Sequence, residues 1–596
     1  METESIELKD ICEKLGNYSE LLQFRAKEQA DRHAYTFLEN GTTETLVHTY
    51  GSLDKEVRKV GGYLQAQGAA NERVLLVMRS DLDYSIAFLG CLYAGSIAVT
   101  TIVPSTLEQV RRLGIIANNA QAKYVMVHRK DYDKLVEGFR ENEVLRHLKW
   151  IIYDEIPLLA AESWTPAEST WDSVAFLQYT SGSTSEPKGV QVSHRNLALI
   201  GAYHEELFSL NKYDVGVTWL PQSHDMGLIF GILQPLYTGF PTCVMTPSAF
   251  LKRPLKWLQT ISNYRVSFSI VPNFAYDLCA ETMRPEDLES LDLSCFTLAI
   301  NAAEPIKAKT LRNFAKTFAV TGFQSSALVG GYGMAETTLG VSGSKRGSSY
   351  KLRKLSVDML EQGIAKDVDL KSINYREAVS SGSIGSYADV VIADSQTLET
   401  KAVDHIGEIL IAGDIVANGY WNNDEETDYA FNVFTSDGKG PFLRTGDLGF
   451  IDREGNLFIT GRAKDLIIIH GKNYAPQDIE LTVEEFSPKI RTRQVSVFSV
   501  EVNNRETVVI IAEIKRGYAK ETNPVELGEA VLKYVAKEYQ IPVFEVVFVK
   551  RGECPKTTSG KIQRQRSKQM FFKDEFTVVG KYRHLMYRNA QPNKID

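Results

Sequence analysis

The chain has 596 residues, 43% apolar and 24% charged, which excludes a disordered or low-complexity protein and, at roughly 150 residues per domain, allows three or four domains. With 67 basic against 75 acidic side chains the net charge is −8, which excludes nucleic-acid binding driven by overall charge. The cysteines (Cys12, Cys91, Cys243, Cys279, Cys295, Cys554) form no Cys-x-x-Cys pair, so neither a disulfide framework nor a zinc site is indicated, and a reducing, cytoplasmic compartment is expected.

The N-terminal METESIELKD is charged and lacks the apolar core of a secretory signal. Tyr84–Leu107 is an uncharged stretch of 24 residues, long enough to span a bilayer, but it contains Gly90, Gly95 and Pro104. It reads instead as a buried helix ending near Ala94-Gly95, followed by a buried strand, and no transmembrane segment is expected. Further apolar runs alternate with helical patterns: RVLLVMR (73–79), AKYVMVH (122–128), VAFLQYT (174–180), TCVMTP (242–247), FSIVP (268–272) and FTLAIN (296–301). This alternation predicts an α/β fold with parallel sheets covered by helices, which place ligands at the C-terminal ends of their strands. From about 381 short strands and turns dominate, with DREGN between two strands as a hairpin turn, and a compact α/β pattern follows Arg462. The predicted division is residues 1–462 and 463–596.

The strongest motif is YTSGSTSEPKGV (179–190), directly after a predicted strand. Gly182 permits backbone conformations closed to other residues, and successive N–H groups with the hydroxyls of Thr180, Ser181, Ser183 and Thr184 can converge on phosphate oxygens. Lys188 adds a cation. The Walker spacing is absent.

With these residues the chain resembles the ANL adenylate-forming superfamily of acyl-CoA synthetases, peptide-synthetase adenylation domains and luciferases. TYGSL (49–53) and YAGSIAVTTIVP (93–104) match its early motifs. GGYGMAETT (330–338) matches a motif that places Gly331, Tyr332, Gly333, Met334 and Ala335 at the nucleotide and Glu336 on magnesium. RTGDLGFI (444–451) supplies Asp447 for the ribose, GRAKDLIIIHGKNYAPQDIE (461–480) supplies Arg462 and the hinge Lys464, and Ile459 joins the nucleotide set. PKTTSGKIQR (555–564) carries the catalytic lysine, Lys561. TWLPQSHDMGLIFGILQPLYTG (218–239), IVPNFAYDLC (270–279) and LDLSCFTLAINAAEPI (291–306) resemble the fatty acyl-AMP ligase branch. They imply Asn301, Ala302, Ala303 and Glu304 at the adenine and His224 beside the acyl carbonyl and phosphate. Asp225, Met226, Gly227, Leu228, Ile229 and Phe274 would bind the acyl chain. The bland alternatives stay open at this stage: His224 as a hydrogen-bonded structural histidine, and the apolar residues as plain core.

The resemblance implies a large multi-sheet N-terminal domain, with parallel sheets, helices and a distorted β-barrel-like part, and a smaller mobile lid. It also implies an insertion at about 345–380 that restrains the lid and disfavours coenzyme A. The implied reaction joins a fatty acid to ATP, with Mg²⁺, and hands the acyl group to an acyl carrier protein in trans. Residues 550–569 hold seven Lys or Arg against one Glu, which suits either an acidic partner or the nucleotide. The chemistry is coherent: a carboxylate with pKa near 4.3 is already ionised and needs no general base. The obstacle is repulsion between two anions, which Lys188, Arg462, Lys561 and a divalent cation offset. A fatty acyl-CoA ligase with the same first half, and a catalytically silent lipid- or nucleotide-sensing module, are the rival readings.

Overall fold

The apolar runs become strands, and they are continuous because helices cover both faces of the sheets they form. In a computed structural model of the protein, the residues described are 15–180, 187–368, 374–469, 472–503, 505–557, 560–588 and 590–593. One sheet has six strands, in the order Lys149–Ile152, Tyr124–Val127, Arg73–Leu76, Ile97–Thr100, Val174–Thr180 and Lys188–Ser193. The first five are parallel and the last runs back antiparallel. A second sheet of nine strands has a parallel centre built from Leu328–Gly333, Leu298–Asn301, Phe268–Val271, Gly216–Thr218, Thr242–Met245 and His33–Leu38.

The uncharged stretch is resolved as expected. Asp81 caps a helix at Leu82–Ala94 by accepting from the Tyr84 N–H at 3.3 Å, and Gly95 ends it at φ 69°, a left-handed conformation that glycine adopts without steric cost. Every residue of this helix except Asp83 is buried. The strand Ile97–Thr100 follows. Among the described residues no helix is long and apolar enough to cross a membrane.

The barrel-like part is a four-stranded antiparallel sheet, Asp389–Ala393, Gly407–Ala412, Leu443–Ile451 and Leu457–Arg462, with DREGN at its last turn. The insertion forms a hairpin of Leu352–Ser356 and Tyr375–Val379 with a short helix, Val357–Glu361. Leu355 and Ala365 pack with Phe450 and Phe458 into a core of their own. The hairpin reaches both ways. Arg312 pairs with Glu377 at 2.7 Å on the N-terminal side. Arg376–Asp478 at 2.8 Å and Lys472–Glu361 at 2.6 Å tie it to the smaller domain.

That separate C-terminal domain is built on Ile490–Val502, Arg505–Ile514, Val543–Val549 and Val578–Arg583. Alternation decides its two faces. Val508, Ile510 and Ala512 point to a cluster that includes Ile479, Val531 and Val535, while Val509 and Ile511 point to one with Phe544 and Phe576. Helix Arg564–Phe572 starts at a polar knot. Arg564 donates to both oxygens of Glu480 at 2.7 Å and to Asp465 at 2.9 Å, and Glu480 also accepts from the Val497 N–H at 3.1 Å.

Arg564→Ala leaves Glu480 buried without its cation, so urea unfolding should show a loss of about 3–5 kcal/mol. A loss below about 1 kcal/mol, the range of an exposed pair, would contradict this.

Candidate active site

A cleft of 2760 Å³ is lined from the N-terminal side by Lys188, His224, Asp225, Glu336 and Asp447, and from the C-terminal side by Lys464 and Lys561, with Arg462 between. Val174–Thr180 and Lys188–Ser193 pair so that Thr180 faces Lys188 across the ladder. Ser181, Gly182, Ser183 and Thr184 lie outside the described residues, as does the Thr180 side chain. The chain around Tyr420 adds to the Lys188 strand: Gln191 N–H donates to the Gly419 carbonyl at 2.9 Å and Trp421 N–H to the Gly189 carbonyl at 2.8 Å. This sets the Lys188 ammonium 5.2 Å from the Tyr420 ring centroid, where the π-face attracts a cation. Lys188 also pairs with the Glu426 carboxylate.

Glu336 follows the strand Leu328–Gly333 through a turn that only glycine fits: a Cβ on Gly333 would stand 1.5 Å from the Leu339 carbonyl oxygen. Burial pushes the Glu336 carboxyl up, opposed by the Tyr420 hydroxyl, which donates to it at 2.8 Å. Asp447 and Arg462 are direct cross-strand partners, 3.0 Å apart at Nε and Oδ1. Tyr332 donates to the other Asp447 oxygen at 2.8 Å. Gly331, Tyr332, Gly333, Met334, Ala335 and Ile459 line the same cleft.

His224 Nδ1 and the Met226 N–H converge on one oxygen of Asp225, at 2.5 and 2.6 Å. Burial alone would raise the Asp225 carboxyl, but His224, that N–H and Lys561 outweigh it and hold it below its usual range. Met226–Leu233 then forms a wide π-type helix, a form common at functional sites. Met226 and Phe230, four residues apart on one face, line the cleft with Phe208 and Ile270. Leu228 and Ile229 point into the core instead, 0% and 2% exposed, and Gly227 sits against Pro221. Phe274 stands edge-on to Trp219 with ring centres 5.9 Å apart and is not among the lining side chains. The helix therefore presents a narrower apolar face than the expected consecutive residues.

Ala302, Ala303 and Glu304 line the cleft, with Ala303 at φ 70°. Asn301 does not: its amide is turned inward and donates to Asn273 Oδ1 at 3.1 Å. Burial raises the Glu304 carboxyl, against the Phe274 N–H that donates to it. Lys561 sits in a turn closed by Thr557 N–H to the Lys561 carbonyl at 2.9 Å. Burial and then Arg462 lower its ammonium pKa, while Asp225, Asp447 and Glu304 pull the other way. Lys464 is exposed on a single 3₁₀ turn, Ala463–Asp465. Tyr420 and Glu426 were not picked out from the sequence. NGYWNND reads there only as a turn, and nothing local says that it joins the Lys188 strand.

The AMP-binding enzyme pattern matches residues 22–421, and a Disco-interacting protein 2-like AMP domain pattern matches residues 464–581. The chain belongs to the AMP-binding enzyme family. It is 40% identical to a medium-chain-fatty-acid–[acyl-carrier-protein] ligase, JamA, of Moorena producens, over 93% of this chain and 94% of that one. It is 33% identical to a long-chain-fatty-acid–AMP ligase, FadD32, of Mycolicibacterium smegmatis, over 91% and 92%. A fatty acyl-adenylate ligase from L. pneumophila, solved in complex with acyl adenylate and pyrophosphate, is similar at a TM-score of 0.75 and 34% identity, over 97% and 99% of the two chains.

Gly227 fixes the approach of the His224 loop to the wide helix, since a Cβ there would lie 2.1 Å from the Pro221 carbonyl oxygen. Gly227→Ala should therefore lower the melting temperature by several degrees, about 1–3 kcal/mol of overpacking; an unshifted melt would show that the helix can slide.

Proposed function

We propose that this family member is a fatty acyl-AMP ligase. A fatty-acid carboxylate oxygen attacks the α-phosphorus of ATP, the α–β bridging P–O bond breaks, and acyl-adenylate and pyrophosphate form. A phosphopantetheine thiol on a carrier protein then attacks the acyl carbonyl and AMP leaves. The observation that carries this reading is the convergence of Lys188, Glu336, Asp447, Arg462 and Lys561 on one cleft beside the apolar face of Met226 and Phe230.

Each residue has a task in this scheme. Tyr332, Asp447 and Arg462, already bonded to one another, hold the ribose, and the turn Ala302–Glu304 flanks the adenine. Lys188 and Lys561 meet the phosphate charge. His224, oriented by Asp225, lies where the acyl carbonyl meets the α-phosphate. The hydroxyl-bearing residue types at 180–184 suit phosphate oxygens. Binding the alkyl tail against Met226 and Phe230 contributes about 0.8 kcal/mol per CH₂, so tunnel depth reads chain length.

Glu336 fits a magnesium ion held through substrate phosphates. It is a single carboxylate, oriented by Tyr420 and facing the cleft, and magnesium is commonly held by one or two carboxylates plus phosphates. When bound, the ion would neutralise phosphate charge.

The domain division at 462/463 belongs to this proposal, with the lid turning about Lys464 between the two half-reactions. The insertion restrains that turn. The ion pairs of Glu361 and Arg376 with Lys472 and Asp478 support this, because they bridge the insertion to the smaller domain.

Lys561→Ala should lower fatty-acid-dependent pyrophosphate exchange by at least 10²-fold, the size expected for one lost electrostatic stabiliser. The pH dependence has a definite sign. The ammonium is the working form and its pKa is lowered, so exchange should fall as pH rises through a value below the usual 10.4 or so. Lys561→Arg should remove that alkaline limb; a limb that persists assigns it to another group.

Deleting 352–367 with a short linker should raise acyl-CoA formation from coenzyme A relative to acylation of a holo carrier protein. Efficient acyl-CoA synthesis by the unaltered chain would instead favour the acyl-CoA ligase reading.

A further inference from the structure

Asp81, Asp83 and His128 each offer one ligand atom, and these atoms lie within 4.8 Å of one another. None of the three lines the cleft. Topology brings them together. Arg73–Leu76 and Tyr124–Val127 are adjacent parallel strands, so the loops leaving their C-terminal ends emerge side by side. One loop ends at Asp81, the cap of helix Leu82–Ala94, with Asp83 in its first turn; the other strand is followed at once by His128.

The carboxylates alone would be unremarkable on a protein surface. His128 is not on the surface: it is 3% exposed. Its Nδ1 is held by Asp154 at 3.1 Å, and its Nε2 is buried without a hydrogen-bond partner, 3.6 Å from Asp83 Oδ2. A carboxylate on Nδ1 fixes the N–H there and turns the Nε2 lone pair toward Asp83. This is the arrangement by which metal-ligating histidines are usually oriented. Two ligands 3.6 Å apart, each about 2.1 Å from an ion, subtend roughly 120° at it, within reach of zinc-type geometry. Asp81 and Asp83 also crowd each other. Arg79, two residues before Asp81, is paired with Asp131 at 2.7 Å.

We propose that Asp81, Asp83 and His128 bind a divalent transition-metal ion of the zinc, manganese or cobalt class, with water completing its shell on the partly exposed side of Asp83. One imidazole and two carboxylates suit these borderline ions. The ion is structural. It pins the first turn of the buried helix to the end of the neighbouring strand. The same turn supports the active-site loop: the Gln222 N–H donates to Ser80 Oγ at 3.2 Å, and Ser85 Oγ donates to Gln222 Oε1 at 3.1 Å, two residues before His224.

The test is Co²⁺ titration of the metal-stripped full-length protein, without nucleotide and in a Glu336→Gln background that removes the other carboxylate site. We expect one bound Co²⁺ with d–d absorption of a nitrogen-ligated ion and a raised melting temperature. Asp81→Asn and Asp83→Asn, nearly isosteric and partly exposed, should each weaken Co²⁺ by at least tenfold. Absence of a stoichiometric Co²⁺ signal overturns the proposal, as does a signal that neither variant alters. So does an NMR spectrum showing His128 as an imidazolium at neutral pH, unmoved by metal: the site is then an ion triad of His128 with Asp83 and Asp154.

Discussion

Mutual repulsion of two anions is the constraint around which the site is arranged. At an effective dielectric near 20, two unit charges 4 Å apart interact by about 4 kcal/mol, so a carboxylate nears a polyphosphate only where cations are already in place. Two of the cations are held by an acid or an aromatic ring before substrate arrives. Lys188 lies over Tyr420 and against Glu426, and Arg462 lies across the ladder from Asp447. Cations so positioned do not have to reorganise as the reaction proceeds, which is where preorganised electrostatics gain most.

Tyr420 links several of these parts. Its ring faces Lys188, its hydroxyl orients Glu336, and its backbone pairs antiparallel with the strand that begins at Lys188. The segment around Tyr420, between two strands of the barrel-like sheet, thus pairs with the edge of the six-stranded sheet, and a shift of either would be felt by both a cation and an acid of the proposed site. Lys561 comes from the other domain and lies within electrostatic reach of Asp225, Asp447 and Glu304. On the proposed reading, that placement suits the adenylate-forming step.

The insertion makes contacts on both sides of the domain division. Leu355 and Ala365 anchor it on Phe450 and Phe458, while Glu361 and Arg376 extend to the smaller domain. On the proposed reading, two part-exposed ion pairs of modest strength would bias a domain orientation without locking it.

The strands at 73–76, 124–127, 174–180, 242–245, 268–271 and 298–301 were legible because a doubly covered strand must be apolar along its whole length, and that pattern is local. The helix ending at Gly95 was legible for an equally local reason: only glycine takes φ 69° there at no cost. Motif order likewise marked Lys188, Glu336, Asp447, Arg462 and Lys561, all of which reach the cleft. What the sequence could not decide was direction. Asn301 stands one residue before the cleft-lining Ala302, and Leu228 and Ile229 lie between Met226 and Phe230, yet these three turn into the core. A strand's alternation and a helix's winding assign a face only once the neighbouring elements are fixed. Tyr420 and Glu426 were hidden for the same reason: their partner Lys188 is more than two hundred residues away along the chain, and only the pairing of the Tyr420 segment with the Lys188 strand brings them together.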